Sequence, residues 1–265
     1  MTFAFNLSLA GYLAALLFAT ANLFSRGQRR FANAATWVLA GSAVAQTIYI
    51  IMRWAAAGRA PFSNMFESLV LFAWTIVAVY LALQFRRKLP VLGVATALTA
   101  VLVLCYASTF EAKIEPLMPA LRSNWLTIHV FTCFLGYGAV AIACLSGAGY
   151  LFATRKSATP RAQMLEALEA ATDKTISFGF LFLTVGIISG AVWANSAWGT
   201  YWSWDPKETW SLITWFIYAV YLHCRFMRGW RGRRAAWISV IGFASVIFTY
   251  LGVNFLLSGL HSYAN

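Results

Sequence analysis

Apolar runs of about twenty residues, separated by short basic or polar stretches, recur along the whole chain and limit the folds open to it. As a helix, such a run crosses a hydrocarbon core of roughly 30 Å. Eight runs are read, at about 6–24, 34–52, 66–85, 90–108, 125–153, 175–194, 208–226 and 236–258. In lipid every backbone N–H and C=O must find an internal partner, which leaves helices for segments of this kind. Composition agrees, with 61% hydrophobic and only 11% charged residues, outside the range of soluble domains. The expectation is an all-α polytopic membrane protein with about eight transmembrane helices, forming a single integral-membrane domain over 1–265. The N-terminal MTFAFNLSLAGYLAALLFAT lacks a basic n-region and a cleavage site, so it is expected as a retained first helix.

The formal net charge of +12 would suit a nucleic-acid binder if it formed a patch, but it does not. Fifteen of the twenty Lys/Arg fall on alternate connections: Arg26, Arg29 and Arg30; Arg86, Arg87 and Lys88; Arg155, Lys156, Arg161 and Lys174; and Arg225, Arg228, Arg231, Arg233 and Arg234. Only Arg53, Arg59, Lys113, Arg122 and Lys207 fall on the other side. The positive-inside rule puts the first set in the cytoplasm and both termini on the outer side. The charge therefore reports topology and an attraction to anionic membrane lipid; no nucleic-acid partner is needed. Arg59, Arg122 and Lys207 are read as interfacial anchors, with contacts to ligand propionates as the alternative.

The four cysteines, Cys105, Cys133, Cys144 and Cys224, show no CxxC spacing and form neither a disulfide framework nor a redox pair. There is no CxxCH either, so the chain is not itself a c-type cytochrome. The polar segment 155–174, RKSATPRAQMLEALEAATDK, is expected as a cytoplasmic connection carrying a short helix at the membrane surface.

Each of the three histidines is placed by this topology. His129, in NWLTIHVF, lies about one turn inside the outer end of the fifth run, and His261, in LLSGLHSYAN, lies just beyond the eighth. His223 follows Thr209 by about 21 Å of helical descent and sits towards the inner leaflet. The sequence thus offers an outer pair and an inner single. A lone intramembrane histidine also serves as a hydrogen-bonding group between helices, and for His223 both readings stay open.

Between 193 and 215 the chain reads WANSAWGTYWSWDPKETWSLITW, holding six of its twelve tryptophans. Asp205-Pro206-Lys207-Glu208 is a helix start, with Asp as N-cap, Pro at N1 and Glu at N3 reaching back. Residues 193–204 are accordingly expected to be irregular, within an external Trp-rich loop over 193–210 that Gly199 lets fold back. Aromatic belts gather at bilayer surfaces, but they spread over many helix ends, and Trp37, Trp54, Trp74, Trp125, Trp230 and Trp237 already serve there. The excess points to a flat apolar platform for a large planar ligand. A porphyrin with two axial imidazoles fits, and a quinone fits the rings without needing the histidines.

WGTYWSWDPKETW resembles the signature of the WWD haem-handling proteins. The wider match is to the CcsA/ResC family, the integral-membrane part of system II cytochrome c synthases. It runs through GRAPFSNMFESLVLFAW at 58–74, NWLTIHVFTCFLGYGA at 124–139, DPKETWSLITWFIYAVYLHCR at 205–225 and GVNFLLSGLHSYA at 252–264. The resemblance implies that His129 and His261 are the outer axial ligands of haem b, with Trp193, Trp198, Tyr201, Trp202, Trp204 and Trp210 holding the macrocycle. It implies that His223 serves a second, inner haem position completed by a CcsB/ResB-like membrane partner, and that Asp205, Pro206 and Glu208 cap the loop. Ferrous haem would be both substrate and transit ligand, exported and joined to a CxxCH apocytochrome whose thiols a reducing pathway supplies. Activity would be thioether formation together with the partner, without an acid–base catalytic pair. The expected location is the bacterial cytoplasmic membrane, or the thylakoid membrane of a plastid. A haem transporter or chaperone without ligation activity, and a quinone-linked oxidoreductase subunit, are the alternatives.

Overall fold

The computed structural model describes residues 1–25, 29–87, 89–117, 121–156 and 162–257. Arg26, Lys88, Arg161 and His261 lie outside them. The described residues are all helical or irregular, with no strand among them. The helices are α1 (Thr2–Phe24), α2 (Arg29–Ala57), α3 (Met65–Arg87), α4 (Val91–Ala107), α5 (Asn124–Lys156), α6 (Ala162–Trp198), α7 (Pro206–Met227) and α8 (Arg233–Ile247). A π-helical turn, Phe248–Gly252, continues α8 into α9 (Val253–Leu256).

To within a residue, each of the first seven apolar runs lies on one of these helices, and the described part of the eighth runs through α8, the π turn and α9. Among the described residues, six helices are long and apolar enough to cross a membrane: α1, α2, α3, α5, α6 and the continuous α8–α9 segment. The 17-residue α4 is shorter, and α7 carries Lys207, Glu208, His223 and Arg225 among its apolar residues. These features are those of a polytopic membrane protein.

Two sequence expectations are corrected. Residues 162–174 are not a separate surface helix but the first turns of α6, a 37-residue helix. The stretch MLEALEAATDK contains no helix breaker, so nothing interrupts the backbone ladder before the apolar part begins. At the other end α6 runs through Trp193 to Trp198, where the Gly199 N–H closes on the Asn195 carbonyl. The irregular segment is therefore 199–205, shorter than the expected 193–204.

The contacts group into two compact units, Met1–Pro116 and Leu117–Asn265. In the first, α3 is the most buried helix, with Phe66, Leu69, Val70, Phe72, Ala73, Ile76, Val77 and Tyr80 all buried. A polar pin fixes its neighbours: Tyr12 of α1 donates to Gln46 Oε1 of α2, and Gln46 Nε2 donates to the Val70 carbonyl of α3 at 2.9 Å. At one end of this unit Glu67, its side chain fully buried, takes Arg53 Nε at 2.8 Å and an Arg59 guanidinium N–H at 3.0 Å. Arg53 also donates to the Ala112 and Lys113 carbonyls, and Arg59 to Glu115. One carboxylate thus ties the α2–α3 connection to the strap after α4. Arg59 is part of this clasp and not an interfacial anchor.

In the second unit α5 and α6 cross closely. A Cβ on Gly179 would stand 3.1 Å from the Gly136 carbonyl oxygen and 2.7 Å from Val140, so only hydrogen fits there. Helix pairs in apolar surroundings gain their contact from such close approach. Trp215 Nε1 of α7 donates to Thr184 of α6 at 2.8 Å, and Thr214 shares a hydroxyl cluster with Ser245 and Thr249. Near the far end of α7 Arg225 bridges Glu169 and Asp173 of α6, both at 2.6 Å, and Tyr221 donates to Asp173.

Glu67→Ala leaves two guanidiniums buried without their carboxylate, and is expected to cost about 3–5 kcal/mol. Thermal unfolding of detergent-purified protein checks this. Arg225→Ala, whose bridge is partly exposed, should shift the transition less.

Candidate functional site

The site is built around His129, on the second turn of α5. Its Nδ1 lies 2.7 Å from the Gly186 carbonyl oxygen of α6. A carbonyl only accepts, so Nδ1 carries the proton and donates, and Nε2 keeps its lone pair. The Cys133 Sγ, one turn further along α5, lies 3.7 Å from the same Nδ1. Behind the ring is Gly190, where a Cβ would stand 2.5 Å from Nδ1 and 2.7 Å from Cε1. Gly186 and Gly190, one turn apart on α6, supply the hydrogen-bond acceptor and the space. Neither was legible beforehand, because nothing in α6 by itself says which helix it faces.

Trp193, one turn beyond Gly190 and 3% exposed, lies nearly parallel to the imidazole, with centroids 6.3 Å apart and 14° between planes. Trp198 meets Trp193 edge-on at 4.7 Å. Beyond the end of α6, Gly199 takes φ 78°, which a side chain would oppose, and the chain turns into the short loop. Trp202 and Trp204 pack perpendicular at 5.8 Å. Outermost are Tyr201 and Trp204, 59% and 68% exposed. Trp204 holds φ 60°, an uncommon conformation for a bulky residue that fixes where its ring points.

The loop ends in a complete capping box. Asp205 Oδ1 accepts the Lys207 N–H at 2.9 Å and the side chain also takes the N3 amide, while Glu208 Oε2 accepts the Asp205 N–H at 3.2 Å. The same Glu208 oxygen takes the Ser203 N–H at 2.8 Å, so one carboxylate holds both the loop and the helix start. Pro206 at N1 has no N–H to leave unpaired. Trp210, on α7, packs on Phe248 in the π turn at 4.3 Å.

Lys207 is not an interfacial anchor. Its ammonium turns inward and donates to Asn254 Oδ1 of α9 at 2.9 Å. Asn254 is 3% exposed and gives its own amide to the Tyr250 carbonyl at 2.6 Å. Arg122, by contrast, is exposed.

The structure thus joins His129, Trp193 and Trp198 directly, with Trp202, Trp204 and Tyr201 further out and Trp210 on the α8 side. It does not bring His223 to them. That residue is exposed near the end of α7, sixteen residues or about 24 Å of helix beyond Lys207. Among the described residues no cluster of three or more His, Cys, Asp or Glu could hold a metal ion. His129 offers a single nitrogen lone pair, at Nε2.

Residues 62–261 match the family described as cytochrome C assembly protein. The chain is 38% identical to the cytochrome c biogenesis protein CcsA of Gloeobacter violaceus, over 80% of each chain. It is 40% identical to that of Guillardia theta, covering 82% of this chain and 81% of that one. Identity to the Chlamydomonas reinhardtii protein of the same name is 43%, over 82% of this chain and 64% of the relative.

Gly190→Ala should displace the imidazole from the Gly186 carbonyl while leaving His129 in the sequence. Cytochrome c assembly in a complementation assay is expected to fall towards the level of a His129 variant, with unchanged protein accumulation on immunoblots. Asp205→Ala should cost about 1 kcal/mol of helix capping, read as a small drop in melting temperature.

Proposed function

Because the chain belongs to the cytochrome c assembly family, with CcsA-type biogenesis proteins as its relatives, we propose that it exports haem and presents it for attachment to CxxCH apocytochromes. His129 and His261 are the outer axial ligands, and the rings of Trp193, Trp198, Tyr201, Trp202, Trp204 and Trp210 contact the porphyrin. The observation that carries this reading is the imidazole of His129. Its Nδ1–H is committed to the Gly186 carbonyl, and its Nε2 lone pair is left for iron beside buried tryptophan surface. His261 lies outside the described residues and enters through the resemblance of GVNFLLSGLHSYA to the family's sequence.

Ferrous haem is the substrate. Each thioether forms when a cysteine S–H adds across a vinyl C=C, so sulfur gains a bond to carbon and hydrogen goes to the neighbouring carbon. No electrons are lost, and no acid–base pair is required of the protein. The chain's own residues contribute position: the cap over 205–208 fixes the loop, and His129 holds the iron until the CxxCH histidine replaces a ligand.

In this reading all eight helices span, with both termini and the Trp-rich loop outside and the fifteen clustered Lys/Arg inside. The 22 residues of α7 reach about 33 Å, enough to cross, and its charged residues stand near its ends. His223 lies in a row with Ile213, Phe216, Val220 and Met227, all exposed. An imidazole on an otherwise apolar outer face supports coverage by a CcsB/ResB-like partner, with which His223 serves an inner haem position. Relatives from cyanobacteria and plastids support a bacterial or thylakoid membrane as the location.

His129→Gly and His261→Gly are each expected to abolish holocytochrome formation, with partial recovery on adding imidazole; normal assembly in both single variants would overturn the assignment. For the direction of travel, haem per complex is measured by pyridine hemochrome. His223→Ala should empty the outer site as well, whereas His261→Ala should leave the inner haem in place. Full outer occupancy in His223→Ala would take that residue off the route.

A further inference from the structure

Lys207 occupies a place that the reading of the tryptophan loop does not use. Its backbone is fixed by the Asp205 cap, so the side chain leaves the first turn of α7 from a defined position. Instead of reaching for water, the stem crosses to α9, and the ammonium donates to Asn254 Oδ1. Asn254 has no rotational choice in the matter. Its amide nitrogen is committed to the Tyr250 carbonyl in the π turn, which turns Oδ1 towards the lysine. A π turn inserts one extra residue, and here it sets the phase at which Asn254 meets α7.

Tyr250, whose carbonyl holds Asn254, packs its ring edge-on against Phe134 of α5 at 5.2 Å, so the partner of the lysine stands against the helix that carries His129. Of the two carboxylates at the start of α7, Glu208 is engaged with the Ser203 and Asp205 amides, while Asp205, which takes the Lys207 N–H, also acts on the ammonium. A cation is thereby held on a buried asparagine directly after the tryptophan loop, in surroundings of low polarity where a charge-assisted contact is strong. A ligand fitting this arrangement is flat and apolar over most of its area and carries a carboxylate at its edge.

We propose that Lys207, aimed by Asn254, binds a propionate carboxylate of the porphyrin at the outer site and so fixes the rotation of the macrocycle over His129. The proposal rests on the haem reading above. Rotation matters for the chemistry, because the two vinyl groups must face the two thiols of the incoming CxxCH segment. Lys207 is on this account a substrate-binding residue, and Asn254 a positioning residue acting through it.

The test varies ligand and residue together. Chain purified in detergent is titrated with ferrous protoporphyrin IX and with its dimethyl ester, following the Soret band. The ester keeps the ring, the iron and the vinyl groups but cannot pair with an ammonium. The wild-type protein should bind the free acid about tenfold or more tighter than the ester, the scale of one charge-assisted contact. In Lys207→Gln that preference should fall to about twofold or less, with ester affinity unchanged, and in Lys207→Arg it should persist. Lys207→Met, which keeps the apolar stem, replaces the Gln variant if that fails to accumulate. Equal wild-type affinity for acid and ester overturns the proposal, as does an undiminished preference in Lys207→Gln or Lys207→Met. Wild-type protein that binds neither porphyrin would instead sink the haem reading itself, so the two failures are distinguishable.

Discussion

The close crossing of α5 and α6 is the contact on which the candidate site depends. In apolar surroundings two helices gain little from burying hydrocarbon against each other, so proximity and interhelical hydrogen bonds decide how they pair. Small residues on α6 let the backbones approach, and the Gly186 carbonyl comes within reach of an imidazole on the neighbouring helix. A carbonyl oxygen has a second lone pair beyond its ladder bond, so the helix loses nothing by accepting His129. The consequence is chemical: the tautomer is fixed, and the remaining nitrogen keeps its lone pair. Trp193 follows on the same helix, so its angle to the imidazole is set by the same crossing.

Around this fixed centre the aromatic residues form a gradient. Trp193 is buried, Trp202 is half-buried, and Tyr201 and Trp204 are mostly exposed. Buried rings pack against protein and serve stability; exposed rings of this size cost free energy unless something covers them. The capping box keeps these outer rings from collapsing onto the helices. Glu208 holds Ser203 and Asp205 together, and Trp204 between them is forced to a left-handed backbone conformation. The loop is thus short and braced, from the Gly199 N–H on the Asn195 carbonyl to the Glu208 carboxylate on Ser203 and Asp205.

Charged residues divide into two kinds that composition alone does not separate. Arg86, Arg228, Arg231 and Arg233 are exposed at helix ends. Arg53, Arg59, Arg225 and Lys207 are turned inward, each onto a named oxygen of another segment. The inward set joins helices that contacts between apolar side chains would leave free to slide. A buried pair is a poor source of net stability but an effective determinant of register, since only one alignment satisfies it.

What the sequence by itself determined was whatever depends on neighbours along the chain. Each apolar run became a helix because its backbone must be paired locally, and Asp-Pro-Lys-Glu became a capping box because all its partners lie within four residues. The clustering of tryptophans was visible for the same reason. Where α6 starts and stops was read wrongly at both ends, because nothing between Ala162 and Trp198 breaks the ladder and polar or aromatic content does not end a helix. Tertiary structure alone decided which oxygen His129 bonds, where Lys207 points and that Arg53 closes on Glu67. Those partners lie 57, 47 and 14 residues away respectively. Helix phase and crossing angle bring such pairs together, and both arise from packing between elements rather than from the order of residues within any one of them.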